Sequence, residues 1–247
     1  MKTYFVGMRH PVRNRFLGTF FILMIIIGYF ILVPPVQSYC TARKRKRSIA
    51  YLGSWFFRRL MRLFGITPIV TGLENLPSNS AFVLLSNHQS FLDIGILMHE
   101  IAPLAFLAKK ELFRIPLFGN SLKAMGCIPV HRGNHRANIL LPKTLSQRIQ
   151  AGYNYCVFPE GTRSPDGNLL PFKGGIFKII HSSPVPVLPV TILGSGKTMP
   201  KKGLALFPQH PRVIVHPVIS PEQIAEWTPE EFRNNVRSVI ESAMPGT

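Results

Sequence analysis

An uninterrupted apolar run near the amino end is the strongest hydrophobic pattern in the chain. Residues 16–33 read FLGTFFILMIIIGYFILV, and as a helix they would measure ~27 Å against a hydrocarbon core of roughly 30 Å. Basic residues stand on both sides of the run, at Arg9, Arg13, Arg15 and in ARKRKR at 42–47. Because Lys and Arg favour the cytoplasmic side, we expect a helix that dips into one leaflet and returns, ended by Pro34 and Pro35. A cleaved signal peptide would have a shorter apolar core and small residues at the cut, whereas PPVQSYC follows here.

The next segment, residues 43–65, predicts an amphipathic helix. Its apolar residues recur at steps of three and four, at Ile49, Leu52, Phe56, Leu60 and Phe64. Arg58, Arg59 and Arg62 lie on the other side of such a helix. This arrangement suits a helix at the headgroup level of an anionic leaflet, and an ordinary helix packed on its own domain is the alternative. We therefore assign residues 1–65 to a membrane-anchoring two-helix segment.

From residue 66 onward, short apolar runs alternate with segments compatible with helices. The strands expected are PIVTG, AFVLLS, CIPVHR, YNYCVFP, VLPVTIL and RVIVHPV, with helices near 91–99, 116–124, 134–150, 173–181 and 221–243. Apolar strands without strict alternation indicate a sheet that is covered on both faces, as in α/β proteins. Residues 66–247 are long enough for one such domain.

The charge of the chain points to an anionic partner. With 29 Lys and Arg against 11 Asp and Glu, the net charge is +18, and no acidic residue precedes Glu74. Since these cations flank the apolar run, the distribution favours a lipid surface and not nucleic acid. The three cysteines, Cys40, Cys127 and Cys156, show no paired spacing, which fits reduced thiols facing the cytoplasm and no metal site.

VTILGSGKT at 190–198 resembles a phosphate-binding loop, but the motif needs a glycine five positions before Gly196, where Thr191 stands. The sequence therefore does not predict a nucleotide triphosphatase.

The candidate catalytic residues stand at the end of an apolar run, in LLSNHQSFLD at 84–93. Ser90 and Asp93 could form a capping box that opens a helix. If His88 lies in the preceding turn, Asp93 can also accept a hydrogen bond from one imidazole nitrogen and leave the other free to take a proton. This pair would be a general base with its orienting carboxylate, and the nucleophile would come with the substrate.

A second polar turn follows another expected strand, in YCVFPEGTRSPDG at 155–167. Its residues Glu160, Gly161, Thr162 and Arg163 are either a surface turn with an ion pair or a ligand site. The Arg163 guanidinium could pair with a phosphate, and Gly161 would let backbone approach a ligand and could supply an oxyanion donor. Arg132 and Lys109 offer further cations after apolar runs.

These motifs resemble, in order and spacing, the four sequence blocks of the glycerolipid acyltransferase family. The blocks are NHQSFLD at 87–93, MGCIPVHR at 125–132, FPEGTRS at 158–164 and VPVLPV at 185–190, and FKGG at 172–175 is similar to the segment after the third block. His131 stands where a common form of the second block has an acidic residue before its arginine.

The resemblance implies a central mixed sheet flanked by helices and tethered to the cytoplasmic membrane, with the catalytic domain on the cytoplasmic side. It implies acyl transfer from acyl carrier protein or coenzyme A to the sn-2 hydroxyl of 1-acylglycerol 3-phosphate in the membrane, with the thioester as co-substrate and no other cofactor. His88 would be the base and Asp93 its orienter. The acceptor-binding positions would be Lys109, Arg132, Glu160, Gly161, Thr162 and Arg163.

Three alternatives stay open at this stage. Within the family, the acceptor could be glycerol 3-phosphate or another lysophospholipid. A non-catalytic membrane scaffold would explain the charge, but neither the His88 and Asp93 pair nor EGTR. A serine hydrolase would need a serine on a tight elbow between glycines, and no such site is evident.

Overall fold

The computed structural model describes residues 11–42, 48–131 and 136–245 as an α/β/α sandwich. Its helices are α1 (Pro11–Ala42), α2 (Ser48–Leu63), α3 (Leu92–Glu100), α4 (Phe118–Ala124), α5 (Leu141–Gln150), α6 (Gly175–His181), α7 (Ser195–Thr198), α8 (Pro221–Glu226) and α9 (Pro229–Ser242). Its strands are β1 (Ile69–Thr71), β2 (Val83–Ser86), β3 (Leu104–Lys109), β4 (Ile128–Val130), β5 (Asn154–Val157), β6 (Val187–Leu193) and β7 (Arg212–Val215).

The described strands form one seven-stranded mixed sheet in the order β1-β7-β6-β2-β5-β3-β4. β6, β2, β5, β3 and β4 are mutually parallel, whereas β7 pairs antiparallel with β6 and β1 runs parallel to β7. The expected central mixed sheet flanked by helices is thus confirmed. The carboxyl ends of the five parallel strands share one edge, which is where ligands bind in open α/β sheets. We call this edge the catalytic edge.

Both faces of the sheet are buried, which explains why its central strand reads as a continuous apolar run. In β2, Val83 and Leu85 point into a core shared with α5, α6 and α9, while Leu84 points into a core shared with α1, α2 and α3. Alternate side chains of a strand face opposite sides, so only a strand covered on both sides is apolar at every position.

The amino-terminal helices form part of one of these layers. Phe21 of α1 and Leu60 and Met61 of α2 are buried in the same core as α3. The backbone N–H of Leu206 donates to the carbonyl of Asn14 at 2.9 Å, which ties α1 to the loop after α7. The two helices predicted as a membrane anchor therefore also pack on the sheet. The domain boundary at residue 65 stays a prediction.

The expected end of the first helix at Pro34 and Pro35 is wrong, because α1 continues through both prolines to Ala42. A proline removes one helical hydrogen bond, but its fixed φ near −65° is a helical value, so the chain can continue beyond it. Among the described residues, no helix combines the length and the apolar character needed to cross a membrane.

The apolar face predicted for residues 43–65 lies mostly against the protein. Leu60 and Phe64 are buried, while Arg58, Arg59 and Arg62 are exposed. This packing matches the alternative of a helix docked on its own domain. Tyr51, Trp55 and Leu63 nevertheless remain exposed on or beside the basic side.

Several elements differ from the sequence-based expectation. β3 has the sequence LAFLAK, whose Leu, Ala and Lys do not favour strands, and it is a strand because it pairs with β4 and β5. The helix expected over 221–243 is two helices, since Thr228 begins α9 with a capping box to Glu231. The helix expected over 134–150 begins as α5 only at Leu141, and residues 132–135 lie outside the described ranges.

Gly95 makes room for α2 on α3, which gives a test of this packing. A Cβ at Gly95 would lie 1.8 Å from a ring carbon of Phe57. We expect Gly95→Leu to lower the free energy of unfolding by about 1 to 3 kcal/mol through overpacking, measured by chemical denaturation in detergent. Gly53→Ala on α2 is the matched control, since a Cβ there meets nothing within 4 Å. Equal stability of both variants would contradict the packing of α2 on α3.

Candidate functional site

The candidate catalytic residues follow the carboxyl ends of adjacent strands. His88 lies two residues after β2, Glu160 three residues after β5, and Lys109 ends β3. Because β2, β5 and β3 are consecutive and parallel, the topology brings the first and third sequence blocks together at the catalytic edge.

The imidazole of His88 is held by the carboxylate of Asp93. Nδ1 of His88 lies 2.8 Å from Oδ2 of Asp93, whose side chain is fully buried, while 15% of the His88 side chain is exposed. With the proton on Nδ1 donated to Asp93, Nε2 is the nitrogen that can accept a proton. A base oriented in this way can deprotonate a hydroxyl brought by a ligand.

The same oxygen of Asp93 also binds the backbone of the turn before α3. It accepts hydrogen bonds from the backbone N–H groups of Gln89 at 2.7 Å and Ser90 at 2.8 Å. Asp93 lies in the first turn of α3, where the helix dipole favours a negative charge. The capping and orienting interpretations of Asp93 therefore describe one hydrogen-bonded group.

The hydroxyls beside His88 are engaged, and the two described thiols are buried. The hydroxyl of Ser90 donates to the carbonyl of Met199 at 2.8 Å, and that of Ser86 donates to the carbonyl of Asn87 at 3.0 Å. Burial raises the pKa of the Cys127 thiol to about 11 and raises that of Cys156 further. These groups are poorly placed to act as nucleophiles.

Glu160 braces the backbone of His88. Its Oε1 accepts the backbone N–H of His88 at 2.7 Å and its Oε2 accepts that of Leu170 at 3.1 Å. The residue is buried, and both of its oxygens are occupied by backbone groups. Glu160 therefore holds the catalytic turn, and its expected place among the acceptor-binding residues stays a prediction.

Burial is also the main cause of the raised pKa of the Glu160 carboxyl group. It raises the pKa of Glu160 to about 7, with a smaller raising effect from Asp93, while the N–H donors of His88 and Leu170 act in the opposite direction. A carboxyl group with such a pKa changes its charge near neutral pH.

Further contacts, not anticipated from the sequence, complete the support of the turn. The ring of Phe158 stacks on the His88 imidazole with 3.9 Å between centroids. The side chain of Asn87 pairs with both backbone groups of Ile192 in β6, at 2.7 and 2.8 Å. The N–H of Ser164 donates to the carbonyl of His88 at 2.7 Å. Asn87 and Phe158 belong to the first and third sequence blocks, and this membership was the sequence feature that could have pointed to their roles.

The turn after Glu160 lies between two lysines, one of which binds it. Gly161 has φ +70°, and the Nζ of Lys173 would lie 2.8 Å from a Cβ placed there. On the other side, Nζ of Lys201 donates to the carbonyl of Arg163 at 2.6 Å and to the hydroxyl of Thr162 at 3.3 Å. The N–H of Gly161 donates to the carbonyl of Phe158 at 3.0 Å, and its expected role as an oxyanion donor stays a prediction.

A cavity of about 570 Å³ opens beside this turn. Lys109, Gly161, His131, Lys173 and Lys178 line it, together with aliphatic residues of β3, α5 and α6. Lys109 and Gly161 thus line one cavity. Lys173 stands in the FKGG segment, to which the sequence analysis gave no role, and Lys178 is a cation that the sequence did not single out. Thr162 is exposed and Arg163 is half-buried in the adjoining turn. Arg132 lies outside the described residues.

A second cavity of about 260 Å³ lies between the amino-terminal helices and α3 and α4. Its walls are almost entirely apolar and include Ile25, Phe56, Phe91 and Phe118. Phe91 belongs to the turn that carries His88, so this cavity adjoins the catalytic turn. Within the three described ranges, no group of His, Cys, Asp and Glu side chains could hold a metal ion.

Comparison with known proteins gives a consistent result. Residues 67–193 match the family model described as Acyltransferase. The chain is 37% identical over 187 residues to a chloroplastic 1-acyl-sn-glycerol-3-phosphate acyltransferase of Brassica napus, covering 73% of this chain and 54% of that protein. It therefore spans about half the length of that plant relative.

Two bacterial proteins are matched over larger shares of their length. The chain is 32% identical over 184 residues to the 1-acyl-sn-glycerol-3-phosphate acyltransferase of Borreliella burgdorferi, covering 72% of each. The crystal structure of the 1-acyl-sn-glycerophosphate acyltransferase PlsC from Thermotoga maritima superposes with a TM-score of 0.79 at 27% identity, covering 94% of this chain and 96% of that one.

The raised pKa of Glu160 predicts a pH-dependent stability. Its protonated form is favoured in the folded protein, so its contribution to stability is complete below about pH 4.5 and is lost as the pH rises through about 7. Glu160→Gln stays neutral, and we expect the variant to lose less stability than the unmodified protein over this interval, measured as the denaturation midpoint against pH. Glu226→Gln on α8 is the exposed control. Parallel curves for Glu160→Gln and the unmodified protein would contradict the assignment.

Proposed function

Because the chain belongs to the acyltransferase family, we propose that it transfers a fatty acyl chain from an acyl thioester to the sn-2 hydroxyl of 1-acylglycerol 3-phosphate. The product is phosphatidic acid, a precursor of phospholipids. The names of the Brassica napus and Borreliella burgdorferi relatives specify this acceptor. The observation that carries the proposal is the oriented imidazole of His88 on the catalytic edge. Its backbone is bound by Glu160, whose neighbour Gly161 lines the lysine-containing cavity.

His88 starts the reaction by accepting the proton of the acceptor hydroxyl at Nε2. The hydroxyl oxygen attacks the thioester carbonyl and forms a tetrahedral oxyanion. Asp93 stabilises the imidazolium that results, because its ionised Oδ2 accepts the Nδ1 proton. The carbon–sulfur bond then breaks, and the imidazolium returns its proton to the departing thiolate. The carbon–oxygen bond of the new ester replaces the carbon–sulfur bond of the thioester, and the hydroxyl proton ends on the free thiol.

Direct transfer fits the surroundings of His88. The hydroxyl of Ser90 is engaged by a backbone carbonyl, and burial disfavours the thiolates of Cys127 and Cys156. General base catalysis contributes roughly 100- to 10,000-fold, so positioning of the two substrates supplies much of the remaining acceleration.

The acceptor phosphate occupies the 570 Å³ cavity in this proposal. Lys109, Lys173 and Lys178 provide positive charge there, and the aliphatic wall receives the neighbouring carbon atoms of the ligand. Arg163 approaches from the adjoining turn, whose backbone is fixed by Lys201. A guanidinium or ammonium pairs strongly with a phosphate in such a partly enclosed site. The family resemblance adds Arg132 to this set.

An acyl chain occupies the apolar 260 Å³ cavity. That cavity lies between α1, α2, α3 and α4 and includes Phe91 of the catalytic turn in its wall. An apolar wall favours a hydrocarbon chain over water.

We place the protein at the cytoplasmic membrane, with residues 1–65 as the anchor and residues 66–247 as the acyltransferase domain on the cytoplasmic side. The exposed apolar side chains of α1 and the exposed Tyr51, Trp55 and Leu63 of α2 support this location. The basic residues around both helices suit an anionic leaflet. The donor is the thioester of acyl carrier protein or of coenzyme A, both of which carry negative charge.

Removing either member of the catalytic pair should abolish most of the turnover. We expect His88→Ala and Asp93→Asn to lower kcat by about 100- to 10,000-fold, since the base or its orientation is lost. Product mass from radiolabelled lysophosphatidic acid with each donor is the measurement, and circular dichroism checks folding. His210→Ala, at an exposed histidine, is the control. An acyl-enzyme trapped on Ser90 or Cys127 would refute direct transfer, and no transfer by the unmodified protein with any acceptor would favour a scaffold.

The cations around the turn should strengthen the binding of phosphorylated acceptors and not that of neutral ones. Loss of one charge-assisted contact costs about 1.5 to 3 kcal/mol, so Lys173→Met or Arg163→Ala should raise KM for lysophosphatidic acid by about tenfold to 150-fold. KM for monoacylglycerol should change little. Lys202→Met removes the same charge from an exposed loop and is the matched control. Equal losses with both acceptors would assign these residues to structure.

A further inference from the structure

We propose that the loops of the catalytic edge form a second contact with the membrane, separate from α1 and α2. Three successive connections from a strand to a helix carry exposed large hydrophobic residues at this edge. They are Phe91 between β2 and α3, Ile115 and Leu117 between β3 and α4 with Phe118 as the first residue of α4, and Ile139 and Leu140 between β4 and α5. We call these six residues the apolar rim.

The opposite edge of the sheet shows much less of this feature. The connections that enter the five parallel strands are residues 72–82, 101–103, 125–127, 151–153 and 182–186, all of which the structure describes. Leu73, which is 45% exposed, is the one exposed large hydrophobic residue among them. Exposed apolar residues are therefore concentrated at the edge that carries His88, and are not a general property of the loops.

Ile139 and Leu140, the rim residues next to α5, have a fixed backbone and exposed side chains. The side-chain amide of Asn138 pairs with both backbone groups of His131, at 3.0 and 2.7 Å, and so fixes the loop to the end of β4. Leu141, the next residue after the pair, is buried in the core. Ile139 and Leu140 lie between these fixed points and are 77% and 68% exposed.

The charge around the rim favours an anionic leaflet as its partner. No acidic residue occurs between Glu111 and Glu160 in the sequence. Exposed Arg114, Arg136 and Lys143 stand beside the apolar residues of the β3–α4 and β4–α5 connections. Aliphatic side chains flanked by cations suit the boundary between headgroups and acyl chains, where the cations reach the phosphates.

The rim also continues the surface of the amino-terminal helices. Phe91 and Phe118 line the apolar cavity together with Ile25 of α1 and Leu52 of α2. An extended surface over three loops and two helices suits a flat bilayer better than a single bound protein. The acidic acyl carrier protein is the other macromolecule with suitable charge, and the experiment separates the two.

This contact has a consequence that rests on the proposed function. With the catalytic edge against the leaflet, a lysophospholipid can move from the bilayer into the cavities without exposing its acyl chain to water. The contact itself can be measured without any acyl transfer.

The test places an environment-sensitive fluorophore at Leu140→Cys in the full chain, with Cys40→Ser to leave only buried native thiols among the described cysteines. Gln150→Cys is the matched control, since it is exposed at the other end of α5, about 15 Å away along the helix. Phosphatidylglycerol vesicles that contain brominated lipid should shift the emission of the label at 140 to shorter wavelength and quench it. The label at 150 should keep its emission.

Equal quenching at 140 and 150, or none at either, would overturn the proposal. Protection of the label at 140 by acyl carrier protein in the absence of lipid, without quenching by vesicles, would overturn it in favour of a protein partner. These outcomes do not depend on whether the protein is an acyltransferase.

A double variant provides the functional readout. Ile139→Asn with Leu140→Asn should lower turnover of lysophosphatidic acid presented in vesicles and leave turnover of a short-chain acceptor, dissolved as monomer, unchanged. Equal loss with both acceptors would show a structural role for the pair and overturn the proposal. Absence of transfer by the unmodified protein with either acceptor would refute the proposed function, while the quenching result would still decide the membrane contact.

Discussion

Asp93 Oδ2 accepts three hydrogen bonds, from the imidazole of His88 and from the backbone N–H groups of Gln89 and Ser90. The oxygen is buried, so these donors replace the water that an ionised carboxylate would otherwise bind. They also determine the path of the chain between β2 and α3, because all three belong to the turn. Asp93 Oδ2 thus fixes the turn after β2, binds backbone N–H groups just before α3 and orients the imidazole of His88. The direction of Nε2, and with it the direction from which a hydroxyl can approach, depends on this interaction.

A second buried carboxylate acts on the same residue from the other side. Asp93 binds the side chain of His88, and Glu160 binds its backbone N–H while also holding Leu170. Two acidic groups in a dry region disfavour each other, which contributes to the raised pKa of Glu160. Glu160 therefore joins the first and third sequence blocks, and replacing it would alter the catalytic turn.

The sequence predicted the local features well and the long-range ones poorly. Apolar strands bounded by polar turns were enough to expect β2, β5 and β6 and a sheet covered on both faces, because burial on two sides leaves few polar positions. The His88 and Asp93 pair was predictable since only four residues separate them, within one turn. β3 was missed because pairing with β4 and β5 overrides the helical preference of LAFLAK. The contact of Lys201 with Arg163 joins residues 38 apart, and the role of Glu160 joins residues 72 apart, so no local pattern could show either.

The packing of α1 against the loop that follows α7 has a consequence for biosynthesis. Asn14 bonds Leu206, and Gly18 lies against the backbone of Leu204, so one of the surfaces that α1 packs on is made 192 residues after Asn14. At translation speeds of about 5 to 20 residues per second, α1 waits roughly 10 to 40 s for this loop to be synthesised. During that interval the side of α1 that later faces the loop must be covered by something other than the loop. The nascent chain therefore needs a temporary shelter, such as a chaperone or a lipid surface, before its last third has been translated.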